Sequence, residues 1–302
     1  MKADKIWMDG KMVDWDKAQV HVCAHALHYG SGVFEGIRAY KTEKGTAVFR
    51  LKEHIDRLFN SAKILKMNIP YTKEQIRQAI KDTIKANKLM SCYIRPLIYR
   101  GFQELGINPF KCPVNCAIAV WEWGAYLGEE GIVNGIKTKI SSYARSYINS
   151  TSQKAKICGN YANSILAKME ALEVGADEAI LLDTRGYVAE GSGENIFWIR
   201  NGVIYTTPTA TVLEGITRDS VIKIAQDMGY QVQEKYACRD ELYISDEVFF
   251  TGTAAEVTPI KEIDNYQIGE GKRGPVTEKI QEKFFALVKG KDQKYLDWLD
   301  FV

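Results

Sequence analysis

The sequence predicts an α+β protein of two domains. A domain usually takes roughly 100–200 residues, so a chain of 302 residues is long enough for two. Apolar residues recur at strand spacing in some segments and at helical spacing in others, without the regular alternation of a parallel α/β fold. A glycine-rich stretch at 124–136 indicates a linker. We therefore expect a small N-terminal domain over 1–124, an interdomain loop over 125–136 and a large C-terminal domain over 137–302.

The first half of the sequence predicts a mixed sheet with two helices. Asp9-Gly10 favours a two-residue turn between short strands, and Thr72-Lys73-Glu74-Gln75 matches a capping box at the start of a helix. Apolar residues then continue at helical spacing in both predicted helices. The expected elements are strands 5–8, 11–13, 46–49, 93–99 and 114–121, and helices 52–66 and 73–87.

The second half contains hairpins, and helices that end at glycine. Gly175 and Gly229 end two predicted helices, and Asn201-Gly202 is a turn sequence between two strands. The expected elements are strands 135–141, 178–182, 187–189, 196–199, 203–205 and 248–250, and helices 160–174, 218–228 and 277–288, before a tryptophan-containing tail.

Composition and charge exclude several classes of protein. Hydrophobic residues make up 46% of the chain, which is ordinary for a folded protein and too much for a disordered one. The 40 basic and 38 acidic residues nearly cancel, whereas a general nucleic-acid binder carries a clear basic excess. No apolar run reaches the roughly 18–20 residues of a membrane span, and the N-terminus has no signal-peptide core. We therefore expect a cytoplasmic protein that binds neither nucleic acid nor membranes.

Common catalytic and metal-binding motifs are missing from the sequence. It has no phosphate loop ending in Lys-Ser or Lys-Thr, no dinucleotide fingerprint and no Gly-x-Ser-x-Gly elbow. His21, His25 and His28 lie close together, but no nearby acid or cysteine completes a ligand set, so we expect no metal. The six cysteines lack disulfide-framework spacing and are expected to be reduced thiols.

Three short segments carry charged or polar groups that would lower stability if their role were only structural. Lys156 stands among small and apolar residues before a predicted helix, where a desolvated amine can form a Schiff base with an aldehyde. Glu190-Gly191-Ser192-Gly193-Glu194-Asn195 places two carboxylates where small residues let a ligand approach the backbone. Gly215-Ile216-Thr217 begins a helix, and Thr251-Gly252-Thr253 follows a buried strand; both offer N–H groups that suit a phosphate.

Each segment also has an ordinary explanation when taken alone. Lys156 can be a surface lysine beside Lys154, the glycine-rich turn can hold solvated acids, and Thr217 can be a plain N-cap. Together, however, the three segments supply an amine for a Schiff base, an acid for a ring nitrogen and donors for a phosphate. These are the groups that pyridoxal 5′-phosphate requires.

Longer motifs carry a resemblance to a known family along almost the whole chain. The sequence resembles the branched-chain-amino-acid aminotransferases of the class IV, fold-type IV group of pyridoxal-phosphate enzymes. This resemblance implies a two-domain fold like that of D-amino-acid aminotransferase, with the cofactor at the domain interface. The matching stretches are His25-Ala26-Leu27-His28-Tyr29-Gly30, Val33-Phe34-Glu35-Gly36-Ile37-Arg38, Tyr93-Ile94-Arg95-Pro96-Leu97, Trp123-Gly124-Ala125-Tyr126-Leu127-Gly128, Lys156-Ile157-Cys158-Gly159-Asn160-Tyr161, the Glu190 and Gly215 segments, and Gly252-Thr253-Ala254-Ala255-Glu256.

The resemblance implies which residues bind the cofactor. Lys156 is the expected Schiff-base lysine, Glu190 the acid that keeps the pyridine nitrogen protonated, and Tyr161 the donor to the phenolic oxygen. The expected phosphate ligands are Arg57, Ile216, Thr217 and Thr253. Cys158 stands where many relatives carry a small glycine, a departure that either narrows the site or makes it sensitive to thiol reagents.

The resemblance also implies a substrate pocket and a dimer. The α-carboxylate is expected on Tyr93 and the backbone of Thr253 and Ala254, and the distal carboxylate of glutamate on Arg95. Tyr29 and Ile107 resemble residues lent by a neighbouring subunit, which makes a homodimer the smallest competent unit and allows a homohexamer. The expected lining of the apolar pocket is Phe34, Gly36, Trp123 and Tyr126.

The implied reaction is a ping-pong transamination of L-leucine, L-isoleucine and L-valine with 2-oxoglutarate, giving branched-chain 2-oxo acids and L-glutamate. Lys156 is expected to move the proton between the substrate Cα and the cofactor. Three alternatives share the fold: a D-amino-acid aminotransferase, an aminodeoxychorismate lyase and a non-enzymatic relative. Tyr93-Ile94-Arg95-Pro96 and Trp123-Gly124-Ala125-Tyr126 favour the branched-chain group, and the complete set of cofactor residues argues against a non-enzyme.

Overall fold

The computed structural model describes residues 3–124 and 126–302. Met1, Lys2 and Ala125, the first residue of the expected interdomain loop, lie outside the described residues. The chain forms two compact units, one of residues 3–123, 155–160 and 287–302, and the other of the remaining described residues. None of the described helices has the length and apolar character needed to cross a lipid bilayer.

The first unit is built on an antiparallel sheet. Its elements up to residue 121 are β1 (Lys5–Met8), β2 (Lys11–Asp14), α1 (His25–Tyr29), β3 (Gly32–Phe34), β4 (Ile37–Thr42), β5 (Gly45–Phe49), α2 (Leu51–Ile64), α3 (Lys73–Ala86), β6 (Cys92–Arg100) and β7 (Val114–Trp121). The sheet order is C-terminal strand (Leu299–Phe301), β5, β4, β6, β7, β1 and β2, and β3 pairs with β6. The hairpin predicted at Asp9-Gly10 is confirmed, with both turn residues at positive φ.

Helices α2 and α3 cover one face of this sheet because their apolar residues recur at helical spacing. Ile55 and Leu58 of α2 and Ile80 of α3 share one core with Ile94 and Val120 of the sheet. The predicted capping box at the start of α3 is also confirmed. Oγ1 of Thr72 accepts from the Gln75 N–H at 3.2 Å, and Oε1 of Gln75 accepts from the Thr72 N–H at 2.8 Å.

The second unit is built on a mixed sheet. Its elements are α4 (Glu129–Asn134), β8 (Ile136–Ile140), α5 (Tyr161–Glu173), β9 (Glu178–Leu182), β10 (Val188–Gly191), β11 (Asn195–Arg200), β12 (Val203–Thr206), α6 (Ile216–Asp227), β13 (Val232–Glu234), α7 (Arg239–Tyr243), β14 (Glu247–Gly252), β15 (Glu256–Ile263), β16 (Tyr266–Gln267) and α8 (Pro275–Val288). The sheet order is β10, β9, β8, β15, β14, β11, β12 and β13, and β16 pairs with β15. Strand β8 is parallel to β9 and β15. The core of the second unit is formed by residues such as Ile180, Trp198, Phe250 and Ile260.

The structure corrects the prediction for one functional helix. Helix α6 begins at Ile216 rather than at residue 218, and its N-cap is Gly215. Thr217 therefore lies inside the first turn, and its interpretation as a plain N-cap is wrong. Four short 3₁₀ helices complete the described secondary structure: Trp15–Lys17, Cys158–Asn160, Thr209–Thr211 and Gln293–Trp298.

Candidate active site

Residues 155–160 form a short segment of the first unit that lies along β3. The N–H of Phe34 donates to the Lys156 carbonyl at 3.1 Å, and the N–H of Lys156 donates to Oγ of Ser61 in α2 at 3.0 Å. Val33 and Ile157 pair as an antiparallel bridge. Both polar backbone groups of Lys156 are thus held by partners, which gives this residue a fixed position beside the sheet.

The side chain of Lys156 lies against an aromatic ring. Its Nζ is 4.9 Å from the ring centroid of Phe34, which is within cation–π distance. Lys154, by contrast, has a side chain that is 42% exposed and forms an ion pair with Glu214 at 2.6 Å. The two neighbouring lysines therefore have different environments. An ordinary surface position would explain that of Lys154 but not that of Lys156.

Aromatic and cationic side chains meet on the face of the first sheet opposite α2 and α3. Cζ of Arg95 lies 4.7 Å from the ring centroid of Phe34, and its Nη2 donates to the Tyr93 hydroxyl at 3.3 Å. Trp123 packs edge-on against Tyr93 with ring centroids 4.6 Å apart. A Cβ on Gly36 would lie only 2.0 Å from the Tyr93 hydroxyl, so this close approach requires glycine. Among the described residues, no carboxylate pairs with Arg95.

Arg57 of α2 is held by a buried carboxylate. Its Nε and Nη2 donate to Oε1 and Oε2 of Glu35 at 2.6 and 2.8 Å, and Nδ1 of His54 lies 2.8 Å from Oε2. Burial raises the pKa of Glu35, but the charge and hydrogen bonds of Arg57, together with the His54 bond, outweigh it and lower this pKa to about 2. Burial lowers the pKa of His54. Glu35 is therefore ionised at neutral pH and fixes the guanidinium of Arg57 by a two-bond fork.

Tyr29 and Ile107 line the same cavity of the first unit, although 78 positions separate them in sequence. The cavity has a volume of about 310 Å³ and is also lined by His25 and Arg100. Tyr29 is 45% exposed and Ile107 is 84% exposed. His25 is not arranged as a metal ligand, since its ring nitrogens lie 2.7 and 2.8 Å from Oγ of Ser31 and the Gly106 carbonyl.

In the second unit, the buried carboxylate of Glu190 is held by a guanidinium, a side-chain amide and a backbone N–H. Oε1 accepts from Nε of Arg145 at 2.8 Å, and Oε2 accepts from Nδ2 of Asn195 and the N–H of Leu213, both at 3.3 Å. The cationic partner favours the ionised carboxylate in this buried position. A fixed, ionised carboxylate can accept a hydrogen bond from a protonated ring nitrogen.

Ile216 and Thr217 are the first two residues of α6, a helix of twelve residues. The N-cap, Gly215, has no side chain that could accept from their N–H groups. A Cβ at this position would lie 2.0 Å from Oδ1 of Asn195, so only glycine fits. The first turn of α6 therefore presents N–H donors and the positive end of the helix dipole, which together suit a phosphate.

Among the remaining candidate residues of the second unit, Tyr161, Thr253 and Ala254 are partly buried and Tyr126 is exposed. Tyr161 is the first residue of α5, and Thr253 and Ala254 lie in the turn between β14 and β15. The ring of Tyr126 is 5.5 Å from Nζ of Lys168. In the described part of the chain, no group of three His, Cys, Asp or Glu side chains has the arrangement of a metal site.

The family assignment follows from comparison with known proteins. The family model of class IV amino-transferases matches residues 32–263. The chain belongs to this family. Among curated members, the branched-chain-amino-acid aminotransferase of Pseudomonas aeruginosa is 52% identical over 98% of this chain and 97% of its own length. That of Escherichia coli K12 is 47% identical over 100% of this chain and 98% of its own length.

Solved structures of the family have the same fold. The T.th. branched-chain amino acid aminotransferase with pyridoxamine 5′-phosphate superimposes with a TM-score of 0.97 at 54% identity, covering 100% of this chain and 99% of that one. The same enzyme complexed with N-(5′-phosphopyridoxyl)-L-glutamate gives a TM-score of 0.95 at 52% identity over the same shares. These matches confirm the expected family and its fold.

The structure adds residues that the sequence did not indicate. Arg145 pairs with Glu190, yet it lies in a stretch without a recognisable motif. In the sequence, Glu35 is only one member of a motif, and Ser61 belongs to none. In a helix, however, Ser61 lies one turn after Arg57, a spacing that places both on one face. That spacing was the signal available for Ser61.

Proposed function

We propose that this protein is a branched-chain-amino-acid aminotransferase that uses pyridoxal 5′-phosphate. It transfers the amino group of L-leucine, L-isoleucine and L-valine to 2-oxoglutarate, giving branched-chain 2-oxo acids and L-glutamate. The observation that carries the proposal is the approach of Lys156 and Arg95 to one ring, with Nζ of Lys156 4.9 Å and Cζ of Arg95 4.7 Å from the ring centroid of Phe34. An amine, an aromatic wall and a guanidinium together suit one pocket for both an apolar side chain and a carboxylate.

The residues described above fit this cofactor. Glu190 is a buried carboxylate with a cationic partner, as a protonated pyridine nitrogen requires, and it is proposed to bind that nitrogen. The first turn of α6 offers N–H donors at Ile216 and Thr217, which we assign to the phosphate with Arg57 and Thr253. Tyr161 is assigned to the phenolic oxygen. Lys156 is assigned to the Schiff base.

Bound pyridoxal phosphate supplies an electron sink for the pair released when the substrate Cα–H bond breaks. Lys156 then acts as the general base and acid that carries the proton from the substrate Cα and delivers it to C4′. The hydrogen bonds to both backbone groups of Lys156 hold its Cα in place while the side chain moves. The bonds of Glu190 to Arg145 and Asn195 keep its carboxylate ionised and directed during the same steps.

The substrate residues are assigned by their chemistry. Tyr93 and the backbone N–H groups of Thr253 and Ala254 bind the α-carboxylate, and Arg95 with Tyr126 receives the distal carboxylate of glutamate. Because a charged partner is not supplied by the described residues, Arg95 suits a carboxylate brought by the substrate. The apolar wall for branched side chains is formed by Phe34, Gly36, Trp123 and Tyr126.

The proposed assembly is a homodimer at least, and a homohexamer if dimers associate further. Tyr29 and Ile107 are exposed on one cavity and are assigned to the active site of the neighbouring subunit. Apolar residues are also exposed along α5, where Ile165, Met169 and Leu172 are each more than half exposed. The six free cysteines are typical of a reducing compartment, which supports a cytoplasmic location.

The proposed activity is tested by the absorbance spectrum of the purified protein with bound cofactor. We expect L-leucine, added without a 2-oxo acid, to convert the spectrum to that of pyridoxamine 5′-phosphate, and 2-oxoglutarate to restore it. Conversion by D-alanine alone would instead identify a D-amino-acid aminotransferase, and release of pyruvate from aminodeoxychorismate would identify a lyase.

Two lysine variants test the assignment of the Schiff base. We expect Lys156→Ala to lose turnover by a factor of at least about 10³, because both nucleophile and base are removed. Lys154→Ala is the matched control two residues earlier and is expected to keep its activity, since Lys154 pairs with Glu214. Retained turnover in Lys156→Ala contradicts the assignment.

A further inference from the structure

Trp121 lies on the sheet face that carries the proposed substrate residues. In β6 and β7, Ile94 and Val120 point into the core under α2 and α3. Side chains alternate along a strand, so Tyr93, Arg95 and Trp121 share the opposite face. The register places Trp121 directly across from Tyr93, and the small Ala119 across from Arg95. Because Arg95 faces Ala119 rather than a bulky residue, the indole of Trp121 has room to lie beside the guanidinium of Arg95.

Two donors in this group have no acceptor in the described part of the chain. They are Nε1 of Trp121 and Nε of Arg95, and both atoms are buried. Trp121 is only 6% exposed, and its ring centroid is 5.1 Å from that of Tyr93 and 5.9 Å from Cζ of Arg95. A buried donor without a partner costs about 1–3 kcal/mol. Two such donors beside one another indicate that the acceptor comes from a bound molecule.

A second buried indole shows that a buried N–H without an acceptor does not by itself indicate a ligand site. Nε1 of Trp198 also has no acceptor among the described residues. That ring, however, lies in the apolar core of the second unit, with Ile180, Val248 and Phe250 in the same cluster. Trp121 differs because a guanidinium and a phenol lie beside it on the sheet face opposite α2 and α3.

We propose that the indole N–H of Trp121 is a second donor, beside Arg95, for the distal carboxylate of glutamate and 2-oxoglutarate. This inference rests on the proposed transamination and names a specificity-determining residue for its acidic substrates. A carboxylate has two oxygens and can accept from the guanidinium and the indole together. A branched aliphatic side chain uses neither donor, so Trp121 discriminates between the two substrate classes.

The test compares two half-reactions in Trp121→Phe, which removes the N–H and keeps an aromatic ring. The readout is the ratio of kcat/KM for L-glutamate to kcat/KM for L-leucine. We expect this ratio to fall at least about tenfold, because a hydrogen bond to a charged group is lost. Trp198→Phe is the matched control and is expected to leave the ratio unchanged. An unchanged ratio in Trp121→Phe, or an equal loss in both half-reactions, overturns the inference.

A second measurement uses the unchanged protein with its cofactor, and the Trp121→Phe variant serves only to assign the resonance. Indole N–H resonances are recorded with glutarate and with 4-methylvalerate, which have carboxylate and isopropyl ends respectively. We expect glutarate alone to move one indole resonance downfield, and Trp121→Phe to lack that resonance. The absence of a glutarate-specific shift contradicts the inference. Failure of the unchanged protein to convert either L-leucine or L-glutamate contradicts the proposed function instead.

Discussion

At the scale of single residues, Glu194 is a buried acid with little to neutralise its charge. Its Oε2 accepts from the Gly193 N–H at 3.0 Å. Burial, with the nearby charges of Glu178 and Glu190, raises the pKa of Glu194 to about 8 against the weaker effects of the Gly193 bond and Lys168. The Lys168 ammonium binds Glu178 directly at 2.8 Å. Glu194 is therefore protonated at neutral pH, whereas Glu190, four positions earlier, has a cationic partner of its own.

This difference predicts a pH-dependent gain in stability for Glu194→Gln. The folded protein keeps the Glu194 proton up to about pH 8, while the unfolded chain releases it near pH 4.3. The wild type therefore loses stability as pH rises between these values, and a neutral glutamine does not. We expect the advantage of the variant over the wild type to grow as pH rises from about 4 to about 8, by as much as about 5 kcal/mol.

Chemical denaturation at a series of pH values measures this difference. Glu173→Gln is the control, since Glu173 is exposed on α5 and its change should give no such trend. A constant difference in unfolding free energy between Glu194→Gln and the wild type would show that Glu194 is ionised in the folded protein.

At the scale of elements, the segment 155–160 depends on a close approach of two glycine backbones. The Gly159 N–H donates to the Gly30 carbonyl at 3.2 Å, and a Cβ on Gly30 would lie 2.7 Å from Cα of Gly159. Gly30 also has φ +64°, a conformation that residues with a side chain rarely adopt. Gly30 therefore sets the distance at which the lysine-bearing segment meets β3.

We expect Gly30→Ala to lower both stability and cofactor affinity. The new methyl group separates the two backbones and disturbs the hydrogen bonds that hold Lys156. Gly202→Ala is a matched control, because Gly202 has a similar φ of +75° with no atom within 4 Å of its Cβ position. Both variants share the conformational strain of about 1 kcal/mol. Cofactor titration followed by visible absorbance should show a loss of affinity of at least about tenfold only in Gly30→Ala, and equal affinities contradict this role.

The elements that the sequence predicted well are those with strong local signals. Helix α3 has its capping box, and the predicted strand 114–121 has the same bounds as β7. Strand β15 was not predicted because it contains Pro259, which argues against a strand, and begins at Glu256 with φ +55°. The pairing of residues 155–160 with β3 was also not predicted, since it depends on contacts more than a hundred positions apart.

In the candidate site too, residues with a local sequence signal were predictable and residues that meet only in the fold were not. Lys156, Glu190 and Thr217 stood out because their neighbours were small or marked a helix start. Arg145 did not, because an arginine in a loop carries no sequence signal for the carboxylate that it meets in the fold. Motifs thus identify groups that act on ligands, while the residues that hold those groups require the structure.

At the scale of the whole molecule, the proposed dimer makes a prediction about mixed subunits. If Tyr29 serves the neighbouring active site, a hybrid of Tyr29→Ala and Lys156→Ala subunits has one site with both defects and one intact site. Random mixing makes half of the dimers hybrids, so about a quarter of the wild-type activity is expected. Activity is measured after the two variants are unfolded and refolded together, with each refolded alone as the control. A mixture no more active than the mean of the two controls places Tyr29 in its own subunit's site or in none.

Helix α2 has a consequence for how such an enzyme can diverge. Arg57 and Ser61 are one turn apart, about 6 Å along the axis, and their partners are Glu35 and the backbone of Lys156. A shift of this helix therefore displaces the proposed phosphate ligand and the lysine anchor together, which leaves little freedom to change either alone. The side chains at Tyr93, Arg95 and Trp121 stand on a separate strand pair. We therefore expect new substrate preferences to arise by substitutions on those strands, while the sequence of α2 stays unchanged.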